Sequence, residues 1–164
     1  MRAYISSFRG PFGTTQVGVE IGATYRVARR LSLIASYSYN DSIYDDDTVN
    51  GTAFVPTKGV RIVDTPAHLP RGEINYDDGM FFGNVAGAFT SRHNVTYTDD
   101  VSVNGYTLLN AAVDYRFPAN SALAGVEIQV NAVNPTDASL VASTAVTQFQ
   151  TFNRNLRLRT PDIR

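Results

Sequence analysis

With 164 residues, 43% hydrophobic content and a net charge of −1, the chain has the composition of one ordinary domain, and its balanced charge gives nucleic-acid binding no electrostatic support. It contains no run of about 20 apolar residues, which excludes a transmembrane helix but not a membrane β-barrel, whose strands turn every second residue to the lumen. Cysteine is absent, so disulfides and thiolate metal centres are excluded.

The N-terminal MRAYISSFRG lacks the apolar segment of about 7 to 15 residues and the small-residue cleavage site of a secretory signal. An exported protein would therefore need a beginning that is not here. From Gln16 to Asn40 two segments alternate with period two. Val17, Val19, Ile21, Ala23 and Tyr25 alternate with Gly18, Glu20, Gly22, Thr24 and Arg26. Leu31, Leu33, Ala35, Tyr37 and Tyr39 then alternate with Ser32, Ser36, Ser38 and Asn40, and Ile34 breaks the rule. Successive strand side chains point to opposite faces, so this predicts a β-hairpin with one apolar and one polar face. Each segment is about ten residues long, enough for a tilted strand to cross a bilayer.

A third strand is predicted over His68–Tyr76, followed by the turn Asp77-Asp78-Gly79, in which glycine takes positive φ without steric cost. A fourth runs from Met80 to Thr90, with Phe81, Val85 and Phe89 opposed to Asn84, Ala86 and Ala88. Tyr106–Phe117 and Gly125–Val133 supply the fifth and sixth. The connections Val27–Arg30, Asp77–Gly79 and Pro118–Leu123 are short, whereas Asp41–Ala67, Ser91–Gly105 and the segment from Asn134 to about Gln150 are long. Antiparallel neighbours alternate in direction, so the short turns fall at one rim and the long loops at the other, as in outer-membrane barrels. The expected fold is an all-β antiparallel up-and-down meander forming part of a transmembrane β-barrel. A soluble antiparallel β-barrel or sandwich of binding type shares the alternation and stays open as the other reading. The nine Tyr and nine Phe suit interfacial girdles, or simply strands.

Four motifs in order resemble the C-terminal β-barrel portion of a TonB-dependent outer-membrane receptor of the siderophore-receptor type. LSLIASYSYNDSIYDDD is similar to a late strand entering an acidic extracellular loop, and KGVRIVDTPAHLP to the loop's re-entry into the next strand. YDDGMFFGNVAGAFTSRHNVTYTDDVSVNGY resembles the hairpin and loop that follow. IQVNAVNPTDASLVAST resembles the penultimate strand and its N-x-x-N-x-x-D exit, here Asn131, Asn134 and Asp137. The resemblance covers Gln16 to Ser143. It implies six to seven strands of a barrel of about 22. It further implies residence in the outer membrane of a Gram-negative bacterium, contact with outer-membrane lipid, and an N-terminal plug domain that receives energy from TonB. The implied cargo is a ferric siderophore or a similar scarce ligand. Residues 1–164 hold no plug, and the chain ends in LRLRTPDIR rather than in a strand with a terminal aromatic. It is therefore expected to be a fragment that does not function alone. Leu156 and Leu158 alternate with Arg157 and Arg159, so a last strand is expected to begin before Pro161 removes a ladder donor.

Asp45, Asp46 and Asp47 stand near Asp41, but the ordered calcium-loop pattern is missing, so they read as a solvated loop. His68 and His93 lack metal-ligand spacing, and no metal or cofactor is expected. Ser91, Arg92, His93 and Tyr97 fall on a long loop, where an arginine beside aromatics suits an anionic iron chelate; Arg92, His93 and Tyr97 are the ligand-binding candidates. Glu20, Arg26, Arg71, Glu73, Asp114, Arg116 and Glu127 share the polar face, which in a barrel must be the lumen. No nucleophile elbow, phosphate-binding loop or Ser-His-Asp arrangement appears, so the chain does not read as an enzyme.

Overall fold

The computed structural model describes residues 1–10, 13–50 and 52–138. Seven long strands form one antiparallel sheet, and two short hairpins decorate it. In chain order the strands are β1 (Arg2–Gly10), β2 (Thr14–Ala28), β3 (Leu31–Tyr44), β4 (Thr48–Asn50), β5 (Ala53–Val55), β6 (His68–Asp77), β7 (Phe81–Thr90), β8 (His93–Asn94), β9 (Ser102–Val103), β10 (Tyr106–Arg116) and β11 (Glu127–Val133). The sheet order is β1-β2-β3-β6-β7-β10-β11, each strand lying beside the next long one in the chain. β4 pairs with β5 and β8 with β9 inside the two long loops. This is the antiparallel meander expected of a partial barrel wall. The expected last strand around Leu156–Arg159 lies outside the described residues.

The register carries the side-chain alternation across the sheet. One row runs Tyr25, Leu33, Ile74, Val85, Ala111 and Ala132; another runs Tyr76, Gly83, Val113 and Val130. The opposite face presents Arg26, Ser32, Asn75, Asn84, Ala112 and Asn131 in one row and Thr24, Ile34, Glu73, Ala86 and Asn110 in the next. Because strand side chains repeat every two residues, this register keeps the main apolar sets of β2, β3, β6, β7, β10 and β11 on the same side.

The apolar side is uncovered. Val113, Val130 and Tyr25 remain 58%, 67% and 66% exposed, and the one buried hydrophobic residue among those described is Val95 in a loop. A soluble sandwich or barrel would bury these rows against a second layer. Here the described residues supply none.

β1 and the loop hairpins were not expected from the sequence. β2 and β3 are also longer than expected, at 15 and 14 residues, with a bulge between Arg26 and Ala28 just before the Arg29–Arg30 turn. β1 ends at Gly10 and β2 starts at Thr14, so this connection is short although it lies at the long-loop rim. The alternation of short and long connections therefore holds from β2 to β11, although the β10–β11 connection, residues 117–126, is longer than the expected Pro118–Leu123.

Candidate functional site

The short-turn rim is built from aspartates and aromatics. Asp78 Oδ1 accepts the backbone N–H groups of Met80 and Phe81 at 3.0 and 2.7 Å, and Asp77 Oδ1 accepts that of Gly79 at 2.8 Å. Gly79 itself sits at φ 95°, the conformation that favours glycine. These amides, Phe81 first, with the Tyr76 hydroxyl, hold the Asp78 carboxyl below the ordinary carboxylate range. Phe81, Tyr115 and Phe117 form an aromatic chain with centroid separations of 4.8 and 4.9 Å.

A second aromatic group lies near the opposite end of the apolar face. His68 stacks between Tyr37 and Tyr39, and its Nδ1 is 2.8 Å from the Tyr37 hydroxyl. His68 is eight residues from Tyr76 along β6, and Phe81 eight from Phe89 along β7. That interval is about 27 Å of strand, or about 20 Å of height at a tilt of about 40°, close to the thickness of a barrel's apolar band. Aromatic groups thus stand near both ends of the uncovered rows.

Among the described residues the polar face holds shallow depressions. One is lined by Ile34, Ser36, Arg71, Glu73 and Asn110, and the others by Arg2, Tyr4, Glu20 and Thr24 and by Ser6, Gln16, Ser38 and Asn40. Asn84 donates to Glu73 at 2.8 Å and to Asn75 at 2.6 Å. Arg116 pairs with Asp77 and Glu127 at 3.4 and 3.7 Å, and its guanidinium lies 5.9 Å from the centre of the Phe82 ring. Arg116 on β10 thus pairs with Glu127 on the neighbouring β11 and reaches past β7 to Asp77 at the end of β6.

The two long loops meet at the other rim. Asp64 N donates to Asn94 O at 2.9 Å, the Tyr44 and Tyr97 rings lie 6.0 Å apart, and His93 Nε2 is 3.8 Å from Asp64 Oδ1. Burial, then the neighbouring Tyr97, raises the Tyr44 phenol pKa above its ordinary value. Thus His93 and Tyr97 sit at the junction of the loops. Arg92 is apart from them: it is exposed, and its Nε donates to Ser102 Oγ at 2.8 Å. Thr96 and Val95 are buried beneath these residues, with Thr96 and Thr98 both donating to Asp100. Sequence reasoning did not single out Tyr44 or Asp64, because only the fold brings their loop against the other.

The acidic run is dispersed over separate partners. Thr15 donates to Asp45, and Asp47 accepts the Lys58 backbone amide, each at 2.9 Å. Among the described residues no group of three or more His, Cys, Asp or Glu side chains is placed to hold a metal. The N-x-x-N-x-x-D exit has a local role. Asn134 Oδ1 accepts the Ala138 amide at 3.0 Å and its Nδ2 donates to the Ala138 carbonyl at 3.1 Å, folding the chain over as β11 ends.

A sequence model of the family described as TonB dependent receptor-like, beta-barrel, matches residues 10–134. Among solved structures, the siderophore receptor PiuA from Acinetobacter baumannii superposes with a TM-score of 0.65 at 16% identity, over 77% of this chain and 18% of that one. The ferric yersiniabactin uptake receptor FyuA from Yersinia pestis gives 0.64 at 16% identity, over 82% of this chain and 20% of that one. The chain therefore spans about a fifth of the length of either receptor. No curated protein matches the sequence.

Proposed function

Because this chain belongs to the TonB-dependent receptor-like β-barrel family, we propose that its seven-stranded sheet is a stretch of the wall of a Gram-negative outer-membrane receptor, which takes up a ferric siderophore or similar scarce ligand with energy passed on by TonB. The observation that carries this reading is the uncovered apolar face with aromatic groups near both of its ends. Lipid satisfies such a face, whereas water would leave it to aggregate. The polar face then lines the lumen and lies against a plug domain, and the wall alone transports nothing.

In this reading the long loops face the cell exterior and the short turns the periplasm. Trypsin applied to intact cells is expected to cut after Lys58 or Arg92 and to spare the Arg29–Arg30 turn until the membrane is permeabilised. Recovery of the chain as a stable, soluble monomer, or early cleavage at Arg29–Arg30 in intact cells, would sink the proposal. Of the loop candidates, Arg92 is the exposed cation suited to an anionic chelate, while His93 and Tyr97 shape the loop junction beside it. Arg92→Ala in the complete receptor is expected to weaken ferric-siderophore binding about tenfold, in line with loss of one charge-assisted contact. Unchanged binding would remove Arg92 from the site.

A further inference from the structure

A histidine ring stands where the two long loops meet. His93 opens the short strand β8 and pairs with Val103 across the β8–β9 hairpin, and its side chain is 9% exposed. Its Nδ1 lies 3.2 Å from the Ser91 carbonyl oxygen. A carbonyl only accepts, so Nδ1 carries a proton and the ring presents Nε2 to the other loop. There Nε2 meets Asp64 Oδ1 at 3.8 Å, outside hydrogen-bond range but within that of an ion pair. Without a proton on Nε2, a lone pair faces a carboxylate. With one, the same two groups make a charge-assisted contact.

The Asp64 backbone belongs to the same joint. Asp64 sits at φ 53°, a conformation uncommon outside glycine, and its N–H donates to Asn94 O at 2.9 Å. One residue thus holds β8 by its amide and faces it with its carboxylate. The other charged and titratable groups around the junction have different partners. Tyr44 and Tyr97 face each other, and Arg61 pairs with Asp41 at 3.0 Å. Arg92 donates to Ser102, Asp100 accepts from Thr96 and Thr98, and Asp99 is exposed. His68 on β6 lies behind the ring, its amide donating to Ser91 Oγ and its carbonyl accepting the Ser91 N–H, each at 3.0 Å. Carboxyl, phenol and guanidinium groups ordinarily keep one charge between about pH 5 and 8, whereas imidazole does not.

We propose that His93 and Asp64 form a proton-operated clasp between the β3–β6 and β7–β10 loops. Uptake of a proton from water at His93 Nε2 joins the loops through the Asp64 carboxylate. Its release leaves the Asp64–Asn94 backbone bond and the tyrosine contact to hold them. Mild acid thus tightens the junction and mild alkali loosens it. That the clasp stands at the outer mouth of a barrel rests on the function proposed above, whereas the clasp itself needs only the two loops.

Residue-resolved hydrogen exchange of the full chain tests this, with the Asp64 amide measured against its intrinsic rate at each pH. Its protection should rise about tenfold from pH 8 to pH 5, the scale of one charge-assisted contact. His93→Gln, and Asp64→Asn whose side chain tolerates positive φ, should keep the wild-type protection at pH 8 and show no rise. His68→Gln should leave the tenfold rise in place. Flat protection in the wild type, a rise that survives in His93→Gln, or one that disappears in His68→Gln overturns the proposal. The readout is independent of compartment. The rise in a chain recovered as a soluble monomer upholds the clasp and refutes the membrane reading, and flat protection in a chain recovered from outer membranes overturns the clasp alone.

Discussion

Asp78 shows what a single side chain contributes at the short-turn rim. Its carboxylate accepts two backbone amides of the β6–β7 turn, which favours the charged form and depresses its folded-state pKa. A depressed value means that the contribution is complete above the unfolded carboxylate pKa of about 4 and fades as pH falls through the lower folded value. The protection of the Met80 and Phe81 amides, their exchange measured against the intrinsic rate at each pH, should therefore be constant near neutrality and fall only in acid. Asp78→Asn should lower that protection at neutral pH and abolish its acid-side change. The turn was legible because Asp-Asp-Gly carries its chemistry locally. Thr57 was not: it is fully buried between the Asp46 carbonyl and the Thr48 hydroxyl, and only the folded loop brings those groups together.

At the scale of the element, alternation decides which substitutions a strand accepts. Val113 lies on the apolar face between Gly83 and Val130, while its neighbour Ala112 lies on the polar face between Asn84 and Asn131. An arginine on the lipid face at the bilayer midplane costs about 2 to 4 kcal/mol, whereas the lumen face is polar and accepts it. Val113→Arg should sharply reduce the heat-modifiable, folded form recovered from outer membranes, whereas Ala112→Arg should leave most of it. Equal losses would show that the two faces have been assigned wrongly. The same alternation explains which strands could be read. β2, β3 and β10 keep apolar residues on one face over most of their length. β1 reverses the pattern, placing Tyr4 beside Glu20 and Phe8 beside Gln16 on the polar face and Ser7 beside Val17 on the other, so its period is blurred. Strands of two or three residues such as β4 and β8 carry no period at all.

For the whole molecule, the meander, the sorting of apolar and polar residues to opposite faces and the family were legible because they follow from patterns repeated over many residues. The loop junction was not, since it depends on residues far apart in sequence meeting in space. The sheet has no hydrophobic core among its described residues, so its order rests on backbone ladders and on the medium that wets its outer face. The two rims then stand under unlike selective pressures. At the turn rim, a glycine at φ 95° and paired aspartates tie each residue to a fixed geometry. At the loop rim, doubling a loop's length costs only about 0.6 kcal/mol in closure entropy. Extra residues are thus thermodynamically cheap at one end of the sheet and expensive at the other, so an insertion into a long loop should leave the strands that carry it in place.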